Sequence, residues 1–173
     1  MLVVTIVFIF LVFLIFGIIK APPDRAVIIS GIRKQPRILI DRTGVRIPFL
    51  ERTDSLYLDQ VIVPVSSNTM PTNDLVNVNV EAIIKIRICM DSKAMIDRAM
   101  TYFLNKNPEE IIAVIQEPLA SNMREIIGRL SLEDLSQTKD KINQIAIDIA
   151  DRDMHVLGLK IENCNIQSVS VVS

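Results

Sequence analysis

From Leu2 to Ile19 the chain reads LVVTIVFIFLVFLIFGII: sixteen of these eighteen positions are Leu, Ile, Val or Phe, only Thr5 and Gly17 interrupt, and none is charged. Wound as a helix at about 1.5 Å per residue, the run spans roughly 27 Å, close to the hydrocarbon thickness of a bilayer. Such residues favour insertion by about 0.3–0.6 kcal/mol each at the helix centre, so the run as a whole favours lipid by several kcal/mol. A helix apolar on every side otherwise needs a large protein around it. A cleaved secretory signal fits less well. No Lys or Arg precedes the run, which exceeds the roughly 7–15 residues of such signals, and Ile19 and Lys20 stand where small residues would be wanted before Ala21. The sequence therefore predicts residues 1–20 as a retained single-pass transmembrane anchor, with Leu2, Val7, Phe10, Leu14 and Ile18 along it, and residues 21–173 as one folded domain.

Charge gives the orientation. Residues 20–52 hold eight Lys/Arg against three acids, and residues 53–173 hold eleven against seventeen. Lys20, Arg25, Arg33, Lys34 and Arg37 follow the apolar run, whereas only the α-amino group lies on its other side. The positive-inside rule favours the cytoplasm for the domain, the other arrangement being an uncleaved export signal with the short N-terminus inside, and these five residues form an expected membrane-proximal basic patch facing anionic lipid. An ordinary solvated hairpin accounts for the same arginines as well. The formal net charge of −1 excludes a generally basic nucleic-acid binder, and no basic run is interleaved with aromatics.

Beyond the anchor, Ala21-Pro22-Pro23-Asp24 stops a helix, and short apolar stretches alternate with turn residues over Arg25–Ser30, Arg37–Ile40 and Val45–Ile47. Leu56–Val65 reads as one further strand, with Pro64 suited to an edge. The strongest β signal lies between Asp74 and Met90, where Val76, Val78, Val80, Ala82, Ile84, Ile86 and Ile88 hold consecutive even positions. That alternation predicts a strand buried on one face. Ser92 then caps a helix to about Asn105, and Asn107-Pro108-Glu109-Glu110 starts another, which Pro118 should kink or divide. A short helical turn follows Ser131, a last helix runs from about Thr138 to Leu157 and stops at Gly158, and Ile161–Val169 returns to strand. The reading is an α+β domain, an antiparallel sheet with helices packed on one face.

No phosphate loop and no nucleophile elbow is present. His155, the single histidine, stands among Asp151, Asp153 and Met154 with no nucleophile beside it. The pairs Glu109/Glu110 and Glu133/Asp134 fall in first turns of helices, where capping explains them. Asp148, Asp151 and Asp153 read as a solvated face. Cys89 and Cys164 belong to no metal-binding spacing and read as two buried thiols. The expectation is a non-enzyme with no catalytic, cofactor or metal residue.

The segments APPDRAVIISGI, RILIDRTGVRIPFLERTDSLYLD, PTNDLVNVNVEAIIKIRI, FLNKNPEEI, NMREIIGRLSLEDL and LGLKIENCNIQSV, in this order behind an apolar start, resemble the stomatin/prohibitin/flotillin family, the SPFH or band 7 domain. The match is best to its flotillin branch, including bacterial inner-membrane members. The resemblance implies a membrane-associated scaffold that forms homo- or hetero-oligomers with SPFH relatives, organises lipid microdomains and, in some branches, regulates a membrane protease. By the same likeness Gly44, Pro48 and Tyr57 shape the first hairpin lobe, and Asn122–Leu135 belongs to a helical lobe where protomers meet. The flotillin pattern continues into a long coiled coil, whereas Val171-Val172-Ser173 ends this chain without sustained heptads. It is thus a shortened member or a piece of a longer chain, expected to join the rings of longer relatives. Two further readings stand beside the scaffold: an adaptor of a membrane protease or another membrane complex, and an enzyme with an unrecognised site.

Overall fold

The computed structural model describes residues 1, 5, 17–32, 35–137 and 139–172. Leu2, Val7, Phe10 and Leu14 of the expected anchor, and Arg33 and Lys34 of the basic patch, lie outside them. Among the described residues, no helix is long and apolar enough to cross a membrane.

The chain folds into two compact units. The first comprises Met1–Leu58 with Leu104–Lys106, and the second comprises Asp59–Phe103 with Asn107–Ser173. The single sheet expected from sequence is replaced by three. In the first unit, β1 (Ile18–Lys20) pairs with β4 (Thr43–Val45), and β2 (Arg25–Ser30) lies between β3 (Arg37–Leu39) and β5 (Arg52–Tyr57). In the second unit, β7 (Asn77–Ile88) lies between β6 (Val61–Pro71) and β8 (Leu159–Val171). All pairings are antiparallel.

Two boundaries differ from the reading of the sequence. The expected helix does not continue through Ile18 and Ile19: these β-branched residues enter β1, with Ile18 opposite Val45 and Lys20 opposite Thr43. The run Leu56–Val65 is likewise not one strand. Leu58 donates its backbone N–H to the carbonyl of Asp24 in the first unit, and Asp59 turns the chain by accepting from the Gln60 N–H at 2.8 Å. The end of β5 and the start of β6 therefore belong to different sheets.

The second unit follows the alternation closely. Every even position of β7 from Val78 to Ile88 is buried, and the odd positions are exposed or half-buried. Four helices follow: α1 (Lys93–Phe103), α2 (Pro108–Arg129), α3 (Leu132–Gln137) and α4 (Lys139–Val156). Helix α2 packs on β6, α4 packs on β8, and the two touch each other, so the apolar face of the sheet is covered. Ile111, Ile115, Leu119, Met123, Ile126 and Ile127 form the buried stripe of α2. Its start is a capping box, with the Asn107 side chain accepting from the Glu110 N–H and the Glu110 carboxylate accepting from the Asn107 N–H, both at 2.8 Å.

Pro118 does not divide α2, which runs through it for 22 residues. The carbonyl it leaves unpaired belongs to Val114, on the exposed side where water can bond to it. Among the described side chains of α4, Ala150 and Met154 are buried, and Ile145 and Ile149 are half-buried. Strand β8 carries two register shifts, beside Glu162 and Gln167. They bring Leu159, Ile161, Cys164 and Ile166 to the same buried side, whereas strict alternation would have put Ile161 with Asn163.

Candidate functional site

In the first unit the β1–β4 ribbon has one packed and one open face. Ile19 and Leu39 pack against the buried cluster of Ala21, Val27 and Ile29. Gly44 permits this closeness, because a Cβ there would come within 2.2 Å of Leu39 Cδ1. By alternation Ile18 and Val45 share the opposite face, and both are exposed. Pro48 is buried, and Tyr57 carries the Arg25 guanidinium 5.8 Å from its ring centroid.

After β4 the chain makes a tight turn at Ile47–Glu51. The Ile47 carbonyl accepts from the N–H groups of both Leu50 and Glu51, at 3.3 and 3.0 Å. The Glu51 carboxylate is buried and accepts from the Ile47 N–H at 2.8 Å and from Arg37 Nη2 at 3.0 Å on each oxygen. Arg37 Nη2 also donates to the Val45 carbonyl at 3.0 Å. Gly31 lies against the turn so closely that a Cβ would meet the Leu50 carbonyl oxygen at 2.4 Å. Held in this way, Phe49 takes a φ of +67° and is 100% exposed, and Leu50 is 63% exposed. A left-handed, fully exposed phenylalanine is disfavoured on both backbone and solvation grounds.

The expected basic patch is distributed among different partners. Lys20 is exposed on β1. Arg25 pairs with Asp24 at 3.3 Å, and Arg37 is committed to Glu51. The sequence reading did not single out Arg42, which is exposed, or Arg46, whose Nη1 donates to Thr53 Oγ1 at 3.2 Å. It also missed Phe49 and Leu50. The available signal was an aromatic–Leu pair directly after a proline, in a stretch too short for strand periodicity to bury it.

Several groups whose spacing could suggest chemistry have structural partners. His155 Nε2 lies 3.4 Å from Asp151 Oδ2, and Asp151 Oδ1 accepts from the Ile161 N–H at 3.0 Å beside the β8 bulge. Asp151 thus supports a strand instead of only facing solvent, while Asp148 and Asp153 are exposed. Asp134 caps α3 with Ser131, its N–H donating to Ser131 Oγ at 3.1 Å. Asn79, on the open face of β7, accepts from the Thr69 N–H at 2.8 Å and so satisfies the β6 bulge. Cys89 and Cys164 are buried and not joined to each other. Burial pushes the Cys164 thiol up to about 11. The Lys160 ammonium, with the Cys89 thiol, holds the Asp91 carboxyl below its usual value. Among the described residues, no group of His, Cys, Asp and Glu is placed to hold a metal ion.

The family model described as the SPFH domain / Band 7 family matches residues 19–171. Flotillin-1 of Carassius auratus is 24% identical over 148 residues, 85% of this chain and 35% of that protein. Flotillin-1 of Homo sapiens is 22% identical over the same span and shares. The chain thus spans about a third of the length of these relatives. With the match running from β1 to the end of β8, the chain belongs to the SPFH domain / Band 7 family as a flotillin-like member.

Proposed function

We propose that the protein is a non-catalytic, membrane-held scaffold or assembly subunit. The apolar run that begins at Leu2 serves as a single tether, the domain lies on the cytoplasmic side, and the protein joins homo- or hetero-oligomers with longer SPFH relatives. The observation that carries this reading is the uncharged apolar run leading directly into a domain of the flotillin-like family. Several of the polar groups with spacing suggestive of chemistry serve as caps, in a strand bulge or in ion pairs, which supports a non-catalytic role.

Assembly is tested by mass photometry on the detergent-extracted full chain, alone and mixed with a longer flotillin-like protein. The reading predicts species larger than one chain, or incorporation into the partner's assemblies. A strict monomer that also ignores the longer protein contradicts it.

A further inference from the structure

We propose that the Ile47–Leu50 turn is a second membrane-contacting element, with Phe49 and Leu50 entering the interface of an anionic bilayer. The proposal rests on the tether reading above, which supplies the nearby membrane.

Three observations converge on it. The turn is built to hold its apolar tip outward. A buried Glu51 carboxylate, the Arg37 guanidinium and the close approach of Gly31 fix its backbone, and yet Phe49 is wholly exposed. A loose loop could fold such a side chain back onto the protein; this one is held in place.

The chain also leads from the apolar run to the same place. Residues 2–16 rejoin the described fold at Gly17, whose carbonyl accepts from the Arg46 N–H at 2.8 Å. Lipid around the apolar run would therefore lie beside the residue that precedes Ile47. Charge selects the occupant. Around the tip Lys20, Arg42 and Arg46 stand against the exposed Asp41, with Glu51 taken up by Arg37, so cations outnumber acids. Apolar side chains at a tip with cations behind them suit acyl chains topped by anionic headgroups. A neutral apolar groove on another protein would offer those cations no counter-charge.

The chain has no tryptophan, so Phe49→Trp in the full chain gives a single tryptophan, at the tip, whose emission is excited apart from that of the two tyrosines. The fully exposed side chain tolerates the larger ring. Phe10→Trp, in a separate sample, reports on the tether. Each protein is reconstituted into vesicles of phosphatidylcholine and phosphatidylglycerol, with and without bromine on the acyl chains. The proposal predicts blue-shifted emission from the Phe49→Trp protein and about twofold quenching by brominated lipid, weaker in phosphatidylcholine alone. Quenching of Phe10→Trp but not of Phe49→Trp overturns the proposal and leaves the tether standing. Quenching of Phe49→Trp alone upholds the turn and overturns the tether. A blue shift of Phe49→Trp without quenching overturns the proposal, because protein, such as a second copy of the chain, then covers the tip.

Discussion

Gly158 shows how one residue joins three elements of the second unit. It ends α4 with a φ of +79°, its carbonyl accepts from the Cys89 N–H at 2.9 Å, and a Cβ there would meet the Met95 carbonyl oxygen at 2.4 Å and the Ala99 nitrogen at 2.5 Å. Backbone atoms cannot swing aside as a side-chain tip can. Gly158→Ala is expected to lower stability by about 1–3 kcal/mol, read from urea unfolding followed by circular dichroism. Cys164 makes a different prediction. Burial pushes its thiol up to about 11 from the ordinary 9.0, because the charged thiolate would lose its hydration, so the folded state resists deprotonation. The stability it protects is intact below pH 9 and is lost as the pH rises towards 11. Thermal unfolding scans should show a fall over that window that is smaller in Cys164→Ala, after each protein is referred to its own value at pH 8.

At the scale of elements, what the sequence disclosed depended on whether a local rule met a tertiary one. The alternation of β7 was legible because a strand with one covered face must repeat every two residues, and Val78–Ile88 keep that period without interruption. The start of α2 was legible because Asn107, Pro108 and Glu110 each suit one position of a helix terminus. Asn107→Ala should therefore cost about 1 kcal/mol, measured as a shift in the urea midpoint at unchanged slope. The bulges of β8 were not legible. Nothing in IENCNIQSV marks Glu162 and Gln167 as the residues to be looped out; the pairing with β7 decides it. Strand β1 was hidden for a similar reason. Ile18 and Ile19 end an uncharged, largely apolar run, and their pairing with Thr43–Val45 separates them from it. The braced turn at Ile47–Glu51 was invisible too, because its brace comes from Arg37 and Gly31, distant in sequence.

At the scale of the whole molecule, the family, the α+β class and the order of segments were all readable from dispersed motifs. The division into two units was not. It turns on Leu58–Gln60 and on the return of Leu104–Lys106 to the first unit, where Asn105 bonds to Ser55 and Asp54. The proposed role joins these scales: a non-catalytic domain held at a membrane by the run that precedes β1. Flotation tests that claim most directly. Membranes carrying the full chain are washed at alkaline pH, which strips proteins held only by charge or by other proteins, and are then floated through a density gradient. The account predicts that the protein rises with the lipid; release into the soluble fractions, with the lipid recovered without it, would contradict it.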